Sequence, residues 1–224
     1  MAREAVAALS SGGLDSCVCL AYLARSHDAV YPIYIRCGLA WEAAETEFLK
    51  RFLAKLGDER IKEVKELNLP MDEVYGEAWY SSGNDIPAYR DPDEAWEIPG
   101  RNVLLLAKTA VWAKLHSVNR IALGTLSDNP FPDATPEFFN EMQAALTKGL
   151  AAPIEILRPL AGMKKSDVIR LGSSLPLELT LSCARPEGGL HCGTCGKCRE
   201  RIEAFTESGM SDPTQYVSRL VVPE

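Results

Sequence analysis

The sequence predicts an α/β protein: a mostly parallel sheet with helices on both faces, closed by a metal-binding segment near its C-terminal end. Three observations carry this. Short β-rich apolar runs alternate with stretches of helical period as far as Leu171. A glycine-rich turn joins the first strand to the first helix. Four of the seven cysteines crowd into residues 183–198. Strands that alternate with helices pair in parallel, because each helix carries the chain back across a sheet face. With 224 residues the chain is expected to form one large domain, 1–175, and a small appendage, 176–224.

Taken in order, Ala5–Leu9 is a short apolar strand that stops at Ser10-Ser11-Gly12-Gly13. Residues 15–25 read as a helix with Leu14, Val18, Leu20, Tyr22 and Leu23 on its apolar side. Residues 29–37 are β-rich despite Pro32. Residues 41–56 return to helical spacing through Phe48, Leu49, Phe52, Leu53 and Leu56, and 61–67 alternate as a strand. A strongly apolar helix is expected at 103–115, a strand at 120–125, a helix at 136–150, a strand at 154–157 and a short helix at 164–171. Residues 70–99 have no clear period. Loops beyond about 15 residues are uncommon unless functional or disordered. Here Tyr75, Trp79, Tyr80, Tyr89 and Trp96 argue against disorder, leaving a lid or pocket wall, or a partly helical excursion packed on the core.

Hydrophobic residues at 46% and charged residues at 25% exclude a disordered or fibrous chain. No apolar run reaches the ~18 residues of a membrane helix. The opening Met1-Ala2-Arg3-Glu4-Ala5-Val6 lacks a signal-peptide layout. Lys and Arg number 24 against 31 Asp and Glu, a net charge of −7, which argues against stable nucleic-acid or anionic-lipid binding. An odd number of cysteines without an export layout predicts a reducing cytoplasm, with thiols that bind metal or react.

The first loop, Ser11-Gly12-Gly13-Leu14-Asp15-Ser16, has the build of an anion cradle. Two glycines let backbone N–H groups approach an anion, and the helix behind them presents its positive end. Ser11 and Ser16 can add hydroxyl donors, and Asp15 can hold Mg²⁺ or cap the helix. Without Gly-Lys-Ser/Thr it is no Walker A loop. The cysteines at 183, 192, 195 and 198 follow C-x8-C-x2-C-x2-C, a spacing that closes a tetrahedral Cys₄ shell around Zn²⁺. An iron–sulfur cluster could use the same ligands, and disulfides are the third option. Lys197, Arg199 and Arg201 can offset the excess negative charge. His191 reads as a neighbour, Cys17 and Cys19 as apolar fillers, and Cys37 as a thiol close to where a nucleotide binds.

The SGGLDS loop is similar to the S-G-G-x-D-S signature of the N-type ATP pyrophosphatases, which split ATP to AMP and pyrophosphate while adenylating a carboxylate or carbonyl oxygen. Further segments narrow this: Pro99-Gly100-Arg101-Asn102, Gly124-Thr125-Leu126-Ser127-Asp128, Phe131-Pro132-Asp133, and Arg158-Pro159-Leu160 followed by Met163-Lys164-Lys165-Ser166. With the four cysteines, nearly the whole chain resembles the 7-cyano-7-deazaguanine synthase (ExsB) family. The resemblance implies a Rossmann-type fold of the adenine nucleotide alpha hydrolase kind. It implies an ATP-dependent ligase that turns 7-carboxy-7-deazaguanine and ammonia into the nitrile through adenylated intermediates. Ser10, Ser11, Gly12, Gly13, Leu14, Asp15, Ser16, Gly38 and Gly124 would bind the nucleotide with Mg²⁺, and Asp15, Lys164 and Arg101 would be catalytic. Arg101, Asn102, Asp128 and Asp133 would contact the substrate. Cys183, Cys192, Cys195 and Cys198 would hold a structural Zn²⁺. A cytoplasmic homodimer without membrane attachment is implied as well.

The family's Y-G-Q-R-H stretch is replaced here by Arg36-Cys37-Gly38-Leu39-Ala40-Trp41, which keeps the glycine, and its Y-P-D-C-R by Phe131-Pro132-Asp133-Ala134-Thr135, which keeps Asp133. The alternatives to nitrile synthesis are an amide ligase on the same acid, a tRNA-modifying enzyme of the same loop class, and a non-catalytic nucleotide- or zinc-binding protein.

Overall fold

β1 (Ala5–Leu9) occupies the middle of a five-stranded sheet in the order β3-β2-β1-β4-β5, in a computed structural model that describes residues 5–218. Residues 1–4 and 219–224, which include most of the opening segment and the end of the expected appendage, lie outside the described residues. β2 (Ala29–Arg36) and β4 (Arg120–Ala122) flank β1, β3 (Lys65–Asn68) lies outside β2, and β5 (Glu155–Leu157) outside β4; every pairing is parallel. The chain builds outward from β1 to β3, then crosses over to β4 on the other side. The order therefore reverses between β1 and β4, and a crevice opens beyond their C-terminal ends, where open α/β sheets bind ligands.

Alternation along β1 sends Val6 and Ala8 to one face and Ala7 to the other, all within 1% of full burial. A strand covered on both sides reads as a continuous apolar run rather than an alternating one. One apolar layer joins Ala7, Ile33 and Ile121 to Leu106 and Ala110 of α5 (Arg101–Leu115) and Phe139 of α6 (Pro136–Leu150). The opposite layer joins Val6, Ala8 and Val30 to Leu20 of α1 (Leu14–Ala24), Phe52 of α2 (Glu42–Leu56) and Ile169 of α7 (Lys165–Leu171).

Element boundaries follow the sequence expectations within a few residues, with three instructive differences. β3 pairs over Lys65–Asn68, and Ile61 makes a single bridge to Val30. It is an edge strand with exposed charges, so the ladder is short. Residues 70–99 fold into α3 (Asp72–Tyr75), α4 (Trp79–Ser82) and a 3₁₀ turn at Asp93–Trp96. Trp79 stacks on Trp41 and meets Trp96 edge-on at 5.1 Å. The excursion packs on the core and also lines the crevice, so both expectations hold. Finally, α8 (Gly196–Ser208) begins right after Cys195 and carries Cys198, where the sequence predicts no helix. Its buried positions, Cys198, Arg201, Ala204 and Phe205, have helical spacing, but a charged residue at one of them breaks the apolar stripe. Arg201 is fully buried and donates to Leu177 O, Thr180 Oγ1, Ser182 Oγ and Thr214 Oγ1, which occupies four of its five N–H groups.

Candidate active site

The loop after β1 is held in shape by its own side chains. Ser16 Oγ accepts from the Ser11 N–H (3.2 Å) and donates to Gly13 O (3.1 Å), and Ser11 Oγ accepts from the Gly13 N–H (3.3 Å). α1 begins at Leu14 with no side chain capping it, which leaves its first N–H groups available to an anion. Gly12 has φ +75°, and a Cβ there would lie 2.4 Å from the backbone oxygen of Glu45 on α2. Gly12→Ala should therefore destabilise the fold by roughly 2–4 kcal/mol, from the left-handed strain plus the backbone clash. Urea unfolding of wild type and variant measures this; a change below about 0.5 kcal/mol would mean the loop simply relaxes.

Beside the loop sits a four-membered charge cluster. Asp15 Oδ2 lies 3.5 Å from Lys165 Nζ, Lys165 lies 3.0 Å from Glu200 Oε2, and Lys197 lies 2.5 Å from Glu200 Oε1. Burial raises the pKa of Asp15 against the pull of Lys165, and Glu200 pushes it further up. Burial would also raise Glu200, but Lys165 and Lys197 outweigh it and hold that carboxylate at about 2. Asp15 Oδ1 is buried without a hydrogen-bond partner, an expensive arrangement for a carboxylate unless a cation meets it. A hard, oxygen-seeking ion such as Mg²⁺ fits that donor.

The loop and this cluster border a cavity of about 460 Å³. Ser10, Ser11, Gly13, Asp15, Ser16, Gly124 and both Lys164 and Lys165 line it. Cys37, Tyr75, Arg101, Asn102, Asp128 and Asp133 line it as well. Arg101 opens α5, and the neighbouring Asn102 is clamped to Asp133: its N–H donates to Oδ2 (2.7 Å) and its Nδ2 to Oδ1 (3.2 Å) and to the backbone oxygen (2.9 Å). Asp133 thus caps α5 and keeps lone pairs for a ligand. Three expected nucleotide residues do not line the cavity. Gly12 packs against α2, Leu14 is buried in the core, and Gly38 donates its N–H to Glu42 Oε1 (3.1 Å) to shape the turn after β2. Burial, reinforced by Glu42, raises the Cys37 pKa, so it is a neutral thiol.

The four cysteine sulfurs all lie within 4.8 Å of one another and are buried. Zn–S bonds near 2.3 Å in a tetrahedron place sulfurs about 3.8 Å apart, and Cys192 and Cys198 are at 3.9 Å. Backbone N–H groups of Arg185 and Cys192 point at Cys183 Sγ (3.3 Å each) and that of Gly193 at Cys198 Sγ (3.4 Å), as suits thiolates. The cluster could hold a metal. His191 Nε2 accepts from the Ser182 N–H (2.9 Å), so it is a neighbour rather than a ligand. Of the expected offsetting cations, Lys197 pairs with Glu200 and Arg199 with Asp93, while Arg201 is close enough to act electrostatically on Cys198. The segment reaches the first loop through Leu181, whose N–H donates to Gly12 O (2.9 Å).

The profile of the family described as Queuosine biosynthesis protein QueC matches residues 4–209. The chain belongs to the QueC family. A QueC-family relative from Methanothrix thermoacetophila, named 7-cyano-7-deazaguanine synthase, is 32% identical over 220 residues, covering 93% of this chain and 96% of its own. Another of that name, from Persephonella marina, is 33% identical over 219 residues, covering 92% and 93%. Among solved structures, one from Methanocaldococcus jannaschii described as a "predicted subunit of tRNA methyltransferase" superposes with a TM-score of 0.51 at 18% identity, covering 93% and 89%; it shares the fold. As a QueC-family protein the chain is an ATP-using enzyme of queuosine biosynthesis, and no helix among the described residues is long and apolar enough to cross a membrane. Among the cavity residues that escaped the sequence reading are Lys165, Lys197, Glu200 and Glu45. Lys165 stands beside the expected Lys164, and an adjacent lysine pair offers no signal to choose between them. Lys197 and Glu200 ride on the overlooked α8, and Glu45 lies on the buried side of a charged helix.

Proposed function

We propose that this chain converts 7-carboxy-7-deazaguanine and ammonia into 7-cyano-7-deazaguanine, using two ATP and releasing AMP and pyrophosphate each time. The observation that carries this reading is the cavity at the sheet's switch point, lined both by the anion-binding loop and by Arg101, Asn102 and Asp133. An acid held by Arg101, Asn102 and Asp133 shares this cavity with a nucleotide held by the loop, as attack of its carboxylate on the α-phosphorus requires.

The Ser11–Ser16 loop and the open N–H groups of α1 bind the phosphates, and Lys164, Lys165 and Arg101 offset the negative charge that grows on them. Mg²⁺, when bound at Asp15, supplies charge stabilisation for the departing pyrophosphate. Asp133, fixed by Asn102, accepts hydrogen bonds from the deazaguanine edge, and Asp128 adds a polar contact. Gly124 leaves room beside Asp15, whose backbone oxygen a Cβ would approach to 3.0 Å. Zn²⁺ on Cys183, Cys192, Cys195 and Cys198 holds the appendage 176–224 against domain 1–175 and takes no part in the chemistry. The enzyme acts as a cytoplasmic homodimer on small molecules, without stable nucleic-acid binding.

Mass spectrometry of a reaction with the acid, ATP and ammonia tests the reading. The expected products are the nitrile, AMP and pyrophosphate. A persistent amide would move the chain to the related ligase activity, and ADP with phosphate would overturn the adenylating chemistry.

A further inference from the structure

Acyl transfer to ammonia and dehydration of an amide both release protons from nitrogen, so the cavity needs a group that can take them. Its carboxylates differ in freedom to do so. Asp15 and Glu200 are tied to Lys165, Asp133 is held by Asn102, and Asp128, Glu203 and Glu207 are exposed to solvent. Glu45 stands apart. It is 8% exposed, lines the cavity, and carries no ion pair within 4 Å among those described. Its backbone oxygen packs beneath Gly12, which places it where α2 meets the phosphate loop. Arg101, at the start of α5, is close enough to act on it electrostatically. Glu45 therefore stands between the phosphate loop and Arg101.

Every element packed around it contributes a facing group. Tyr34 of β2 donates its hydroxyl to Glu45 Oε2 (2.8 Å), and the Trp41 side chain donates as well. Arg101 of α5 supplies positive charge. Glu42 of α2 supplies negative charge, although its Oε1 is occupied by the Cys37 and Gly38 N–H groups (2.6 and 3.1 Å). Burial pushes the carboxyl up, against Arg101 and Tyr34, to about 7. At neutral pH such a group both accepts a proton and gives it up, which suits a general base.

We infer that Glu45 is the proton acceptor for the nitrogen steps of the reaction. The inference rests on the synthase reading above. When ammonia adds to the acyl adenylate, its lone pair forms the C–N bond and the carbonyl π pair moves to oxygen. An N–H proton passes to Glu45, and collapse expels AMP with the C–O bonding pair. After the amide oxygen is adenylated the nitrogen carries two protons; Glu45 takes one to give the neutral imidate, passes it to solvent, and then takes the second. That N–H pair becomes the third C–N bond as the C–O bond breaks and AMP leaves. Between steps the carboxyl returns its proton to solvent.

The test compares wild type, Glu45→Gln and Tyr34→Phe in two assays: acid-dependent exchange of pyrophosphate into ATP, which reads adenylation, and amide plus nitrile formation across pH 5.5–9 (roughly a span of 1.5 units or more around Glu45). Glu45→Gln should slow nitrogen incorporation roughly 10²- to 10⁴-fold at neutral pH, far more than it slows exchange, and should erase the limb of the kcat profile near pH 7. Tyr34→Phe removes a hydrogen bond that favours the ionised form, so its limb should remain and move to higher pH. Equal slowing of both assays by Glu45→Gln, or survival of the limb in that variant, would overturn the inference while leaving the synthase reading intact. No AMP from wild type with this acid would remove both.

Discussion

Asp15→Ala should abolish release of AMP and pyrophosphate while the protein stays folded. Asp15 is built for function at the expense of stability. Burial raises its pKa, one oxygen has no partner, and its contact with Lys165 is a loose 3.5 Å. Because the folded carboxyl is the weaker acid, its ionisation opposes folding. That penalty is absent below the unfolded value of 3.8 and grows as pH rises through the folded pKa. Alanine removes the burden, and Lys165 keeps Glu200 as its partner at 3.0 Å. The expected result is a fall of at least roughly 10³-fold in AMP formation, with a thermal midpoint equal to or above that of wild type. Chromatography of the nucleotide products and a melting curve measure both. AMP formation within tenfold of wild type would show that another group directs the cation.

The sheet was legible because its signals are local. β1 is apolar on both faces, the glycine turn follows it immediately, and Pro136–Leu150 starts and stops where its period does. The same locality made the cradle and the cysteine ligands readable, since their residues are close in sequence. What sequence could not supply was partnership across the fold. Nothing around Glu200 announces that it reaches Lys165, 35 residues away in sequence. In sequence Asp133 and Asn102 each look like substrate contacts, yet they spend part of their hydrogen-bonding capacity on one another across 31 residues. Arg201 hid α8 because a buried arginine mimics a solvent-facing one until its four acceptors are seen. Each of these is a polar residue whose role is set by what faces it, and periodicity carries no information about that.

Cys195→Ser should release the metal, loosen the C-terminal segment and, through it, weaken the ATP site. Cys195 is the N-cap of α8, whose first turn brings in Cys198 and whose next residues include Glu200. The cluster therefore fixes the start of the helix that holds Lys165 toward Asp15, and the same segment grips the loop through Leu181 and Gly12. Structural zinc contributes its binding free energy to folding. Losing one ligand should cost on the order of 4 kcal/mol, or about 8–16 °C in Tm for a chain of this size. The effect should also reach catalysis, because without its anchor Glu200 no longer positions Lys165, and the KM for ATP should rise roughly tenfold or more. Elemental analysis, melting and ATP kinetics test the three links separately. One zinc per wild-type chain, absent from the variant, is the expected result. Iron with its absorption band would replace the ion but keep the coupling. Loss of metal with an unchanged KM for ATP would show that α8 holds its place by packing alone, through Ala204 and Phe205 in the core.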